Sequence, residues 1–121
     1  MTGALPLHDA VYRYYSLVDA CRFDELVELF TPDATYERPG YEPLVGRGEL
    51  AAFYHGKRVI ADGRHTIDRL LTADQEAVVR GGFTGLLKGG DAVSLRFADF
   101  FRTDRNGLFA HRATYFFTPL V

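Results

Sequence analysis

At Asp62-Gly63 the hydrophobic pattern changes period, and that change restricts the fold of this chain more than any motif does. Upstream, apolar residues recur three and four apart, the period of a helix. Downstream, from Arg64 on, β-favouring runs follow one another. They are His65 to Leu71, Ala77 to Lys88, Ala92 to Thr103 and Leu108 to Thr118. Gly89-Gly90 separates the second from the third and Asp104-Arg105-Asn106-Gly107 the third from the fourth, both hairpin-turn signals. The last three strands are therefore predicted to form an antiparallel meander. Phe97 to Phe101 and Tyr115 to Phe117 are rich in large apolar residues, so both sheet faces are expected to be covered. Asp62-Gly63 itself reads as a turn.

The upstream half supplies the helices. Val11, Tyr14, Tyr15, Val18 and Cys21 share one face of a helix between Asp9 and Cys21, with Arg13, Ser16 and Asp19 opposite. Asp24 is placed to cap a second helix, in which Leu26, Val27 and Phe30 face inward and which Pro32 stops. Asp33 to Arg47 then reads as a short strand, a loop braked by proline and glycine, and the entry to a third helix. That helix carries Leu50, Phe53 and Tyr54 on its apolar side and ends near His55-Gly56. Helices first and a curved antiparallel sheet afterwards define a single α+β domain over residues 1–121, with the N-terminal helices packed on one concave sheet face. A sheet closed by helices on one side leaves a pocket at its mouth, and its other face suits a homodimer interface.

Composition narrows the function classes. Acidic and basic residues are interleaved and the net charge is −2, so clustered phosphate binding to nucleic acid is not expected. No apolar run approaches the roughly 20 residues of a membrane span, and Met1 to Pro6 has neither a basic nor an apolar signal region, so a cytoplasmic protein is expected. The single cysteine, Cys21, has no disulfide partner in the chain and reads as buried packing. There is no His-x-His, His-Glu-x-x-His or Cys pair for a metal, and no glycine-rich phosphate loop after a strand, so neither metal nor cofactor is expected.

Several segments taken in order carry a family resemblance: Arg13 to Asp19, Pro32 to Pro39, Gly46-Arg47, Ala51 to Tyr54 and Asp99 to Gly107. From about Val11 to Phe117 the chain resembles the NTF2-like superfamily, and within it the ketosteroid isomerases and SnoaL-like polyketide cyclases. The resemblance implies a cone-shaped α+β barrel. It also implies roles for residues. In ketosteroid isomerases a tyrosine and a protonated aspartic acid donate to an oxyanion while a second carboxylate moves the proton. The tyrosine corresponds to Tyr14 and the oxyanion acid to Asp99. The base does not correspond: Arg38 stands before the proline, and Glu37 points to the other side of the strand. A guanidinium cannot abstract a proton from carbon, so steroid isomerisation is not expected.

Asp99 alternates with Leu95, Phe97 and Phe101 on one sheet face. Among Phe83, Phe97 and Phe101, burial would favour its neutral form, a hydrogen-bond donor or acid. Paired with Arg38 it would be ionised, a base or a fixed anion. Tyr36 shares the strand face of Arg38, and His65 is the histidine best placed as a proton shuttle. Arg112 and Thr114 share a face with Phe116, which corresponds to a pocket aromatic of the isomerases. A related epoxide-hydrolase branch has a carboxylate near Thr114, which is missing here. Arg58 and Arg96 could hold a carboxylate or an acyl-carrier phosphate, but on charge-mixed strands and helix ends they read as solvated. The residues thus point to a cofactor-independent acid/base enzyme, an isomerase, cyclase or hydratase, acting on a small apolar carbonyl- or epoxide-bearing metabolite. Asp99, Tyr14 and Arg38 would be catalytic. Tyr36, His65, Phe53, Tyr54, Phe83, Phe97, Phe101, Arg112, Thr114 and Phe116 would hold the substrate. A binding protein using the same pocket without turnover is the alternative.

Overall fold

The structure, a computed structural model, describes residues 5–117. Helices α1 (Leu7–Asp19) and α2 (Phe23–Val27) precede strand β1 (Phe30–Glu37) and a two-residue strand β2 (Leu44–Val45). Helix α3 (Gly46–Ala52) runs into a π-helical turn, Phe53–Lys57. Four long strands follow: β3 (Ile60–Ala73), β4 (Glu76–Leu87), β5 (Ala92–Thr103) and β6 (Phe109–Phe117). Thr118, the expected end of the last strand, and the first four residues lie outside the described part.

The sheet order is β2-β1-β6-β5-β4-β3. The predicted meander of β4, β5 and β6 is present, and β3 extends it as a further antiparallel strand. Both hairpin turns fall where glycine permits them, with Gly90 at φ 99° and Gly107 at φ 84°. The sheet as a whole is mixed, however, because β1 pairs with β6 in parallel. It is also open, with β2 and β3 as its edges, so it is a cone-like sheet and not a closed barrel.

Four local expectations are corrected. Asp62-Gly63 does not turn the chain but lies inside β3, where Gly63 faces Gly85 across the ladder. A Cβ on Gly63 would stand 2.1 Å from the Phe83 ring, and one on Gly85 would stand 2.3 Å from the Asp62 carbonyl oxygen. These glycines serve close approach between strands, with the Phe83 ring lying against them. Pro32 does not stop a helix. The chain is extended from Phe30, and Pro32 sits where the β1–β6 ladder slips between Phe30 and Thr35, a place that needs no N–H. Asp24 caps nothing; it lies in the first turn of α2 and meets His55 at 2.9 Å. Cys21 is not buried: α1 ends at Asp19, and Cys21 adopts φ 57° in the exposed turn that follows.

The core lies between the helices and the inward sheet face. Val11, Tyr14, Leu26, Phe30, Leu50, Phe53, Phe101 and Phe109 are all essentially inaccessible. On the outer face Phe100, Tyr115 and Phe117 are exposed in the single chain. No helix among the described residues is long and apolar enough to cross a membrane.

Candidate active site

Asp99 lies in the inward alternation of β5 and is fully buried, as its spacing predicts. Its partner is not Arg38. The β5–β6 register sets Asp99 opposite Thr114 and Phe101 opposite Arg112, which brings both β6 side chains to the carboxylate. Thr114 donates to Oδ1, and Arg112 Nη2 donates to Oδ2 at 2.7 Å. Tyr15, from the inward side of α1, donates to the same Oδ2. Both oxygens are therefore occupied, and Asp99 is held as the counter-ion of Arg112.

Arg112 in turn organises the phenols. Its Nη1 donates to the Tyr14 hydroxyl at 2.5 Å and reaches that of Tyr54 at 3.3 Å. The Tyr14 and Tyr54 hydroxyls also bond to each other. The rings of Tyr14 and Tyr36 each lie 4.4 Å from the guanidinium carbon, a cation–π distance. Burial pushes the Tyr14 and Tyr15 phenols well above the ordinary range, and for Tyr15 the Asp99 charge adds to it. Burial likewise raises Tyr54, against the pull of Arg112, to about 12. For Arg112 burial works against the charge, but Asp99 and the surrounding phenols outweigh it, so the cation is held more firmly than usual. The result is a row of neutral hydroxyls polarised by a permanent cation.

Arg38 stands apart from this network. Its guanidinium carbon lies 5.5, 5.2 and 5.4 Å from the rings of Tyr41, Phe53 and Phe116. Among the described residues its one polar contact is Nη1 to the Tyr36 hydroxyl at 3.4 Å, and its Nε is buried without a partner. Tyr36 bonds the Thr114 hydroxyl at 3.0 Å, which joins it to the Asp99 cluster.

His65 meets Asp19, the last residue of α1. The Asp19 carboxylate accepts the His65 backbone N–H at 2.9 Å on one oxygen and Nδ1–H at 2.6 Å on the other. This double contact fixes the ring, which also packs on Tyr15, Phe83 and Phe97. A carboxylate can only accept, so Nδ1 carries the hydrogen and a neutral ring presents its lone pair on Nε2. Nε2 has no hydrogen-bond partner among the described residues.

These groups surround one cavity of about 30 Å³, room for a water or two. Tyr14, Tyr36, Arg38, Tyr54 and His65 are on its wall, as are Phe83, Phe97, Asp99, Arg112, Thr114 and Phe116. Phe53 and Phe101 are not; they stand behind it, against Arg38 and Tyr14 respectively. Arg58, expected to be solvated, is largely buried on the wall, and Val18, Ile60 and Leu95 are apolar wall residues that the sequence did not single out. The sequence reading also missed Tyr15 and Asp19 as polar partners. Tyr15 was legible only as an inward aromatic, and Asp19 as a polar residue on the helix's far side. Among the described residues no three His, Cys, Asp or Glu side chains are grouped to hold a metal ion.

Comparison with known proteins agrees with this fold. The profile of the SnoaL-like domain matches residues 11–112. An NTF2-like protein of unknown function from Burkholderia pseudomallei is similar in structure, with TM-score 0.82 and 20% identity over 92% of this chain and 90% of that one. The epoxide hydrolase/cyclase-like enzyme SalBIII, described for pyran ring formation in the polyether salinomycin, superposes with TM-score 0.81 at 18% identity, covering 92% and 90%. A ketosteroid isomerase-like protein from Erwinia carotovora atroseptica gives 0.71 at 22%, covering 93% and 95%. At these identities the likeness establishes the NTF2-like fold.

Proposed function

This chain belongs to the SnoaL-like domain family, and on that premise we propose that it is a cofactor-independent acid/base enzyme of isomerase, cyclase or hydratase type. Its substrate is a small metabolite with an apolar body and a carbonyl or epoxide oxygen. One observation carries the reading: a carboxylate-fixed imidazole and a row of cation-polarised hydroxyls line the same cavity. In this reading His65 takes the proton, from a carbon beside the carbonyl or from a water that adds. Negative charge gathering on the substrate oxygen meets the Tyr14–Tyr54 hydroxyls, whose acidity as donors Arg112 sustains. The proton then returns from His65 to another atom of the substrate. Asp99 positions Arg112 and does not itself exchange protons, because both its oxygens are engaged.

The empty cavity is far smaller than the few hundred Å³ typical of ligand pockets, so a substrate displaces half-buried wall residues such as Ile60, Leu95 and Phe116 on entry. Binding without turnover is the second reading, favoured by the full engagement of Asp99, the residue that a family-type mechanism would use. The two part on one experiment. Deuterium uptake at the acidic carbon of 2-tetralone, followed by NMR in D₂O, is accelerated by the wild-type protein over buffer if it is an enzyme. Saturable binding of the ketone without acceleration favours the binder.

A further inference from the structure

Arg58 is 7% exposed and lies on the cavity wall, yet its side chain has no hydrogen-bond or carboxylate partner among the described residues. Its guanidinium carbon is 6.0 Å from the Phe23 ring, at the outer limit of a cation–π contact. Among the described residues the buried side-chain nitrogens without a partner are Arg38 Nε and Arg112 Nε and none of Arg58, so the Arg58 guanidinium keeps contact with solvent and is free to take a ligand, while Arg38 Nε is an enclosed donor left unsatisfied.

The rest of the wall supplies no counter-ion. The cavity is bounded by three guanidinium groups, Arg38, Arg58 and Arg112, against one carboxylate, Asp99. Asp99 is spent on Arg112, Tyr15 and Thr114. Asp19, behind His65, is spent on that residue's ring and backbone. Two positive charges are thus left over inside a chain whose net charge is −2. The excess is local, not a general basicity of the protein.

We propose that the substrate is an acid: Arg58, assisted by Arg38, receives a carboxylate on an otherwise apolar molecule. A guanidinium offers paired N–H donors that match the two oxygens of a carboxylate, and in a dry site such a contact discriminates strongly against a neutral isostere. The inference rests on the cavity being the substrate site, as read above, but not on turnover.

Binding of phenylacetate and of its neutral isostere phenylacetamide, measured by calorimetry at millimolar concentration, tests it. The wild-type protein binds phenylacetate at least about tenfold more tightly, the worth of one charge-assisted hydrogen bond. Arg58→Met removes the preference. Arg58→Lys keeps part of the preference. Equal affinity for the two compounds, no phenylacetate binding, or a preference that survives Arg58→Met overturns the proposal. A lowered Tm for Arg58→Met without loss of preference assigns Arg58 to packing on Phe23 and overturns it equally. Carboxylate preference in a protein that accelerates deuterium exchange of neither 2-tetralone nor phenylpyruvate, a keto acid with an acidic carbon beside its carbonyl, sinks the enzyme reading alone; 2-tetralone exchange without carboxylate preference sinks this inference alone.

Discussion

Removing either partner of the Asp99–Arg112 pair leaves the other as a buried charge without its counter-ion, which costs about 3–5 kcal/mol. That is a large share of the 5–15 kcal/mol that holds a typical domain together. Arg112→Met is therefore expected to lower stability in urea titrations by that amount, and Asp99→Leu with Arg112→Met together to cost less than either alone. Equal and additive losses would mean that the pair carries no coupling. The phenols make a separate prediction about pH. Tyr14, Tyr15 and Tyr54 have folded-state values raised above the ordinary phenol value near 10. Their contribution is fully present below pH 10, where both states are protonated, and is lost as pH rises beyond it, because the unfolded chain then releases protons that the folded one retains. Stability should fall by about 1.4 kcal/mol per pH unit per phenol between pH 10 and 12. Spectrophotometric titration near 295 nm should show at least these three of the seven tyrosines ionising only on unfolding. Smooth ionisation of all seven in the folded protein would contradict the buried network.

At the scale of elements, the end of α1 sets the histidine. Arg22 N–H returns to the Leu17 carbonyl at 2.9 Å and Cys21 N–H to that of Val18 at 3.1 Å, a Schellman motif with Cys21 in its left-handed position. This stop leaves Asp19 facing the start of β3, where it accepts both donors of His65. A side chain in that conformation costs about 1–2 kcal/mol, part of which glycine gives back as chain entropy. Cys21→Gly should raise stability by about 0.5–1 kcal/mol and leave the site intact; a lower Tm would show that the cysteine packs after all. The same elements show what a sequence makes legible. The helical stripe of α1, the hairpin glycines and the inward alternation of β5 are local periodicities, and each was visible in the residues. The parallel pairing of β1 with β6 joins residues more than seventy positions apart, and the role of Gly63 depends on Phe83 and Gly85 across the ladder, so no local pattern announces either. So too with the site: Asp99, Tyr14 and Arg112 were found by face and family, whereas the choice of Arg112 over Arg38 as partner is set by the β5–β6 register.

At the scale of the whole molecule, the helices and the concave sheet face bring Tyr14, Tyr54, His65, Asp99 and Arg112 around one cavity. The cavity is electropositive within a slightly acidic protein, and its walls combine a fixed imidazole, polarised hydroxyls and spare guanidinium groups. An arrangement of this kind stabilises charge that develops on an oxygen while a proton leaves a neighbouring atom. The isomerase resemblance alone would have put the base just after β1, where Arg38 is instead caged by aromatic rings. In the proposed mechanism His65 is the group on which the chemistry depends, and Tyr14 the group that supports it. The most direct test is the rate of 2-tetralone deuterium uptake in His65→Gln and Tyr14→Phe against wild type, with folding checked by circular dichroism. The account predicts a fall of about 100-fold or more for His65→Gln, the usual worth of a general base, and a smaller fall for Tyr14→Phe, where Tyr54 remains. An unchanged rate in a folded His65→Gln protein would contradict it.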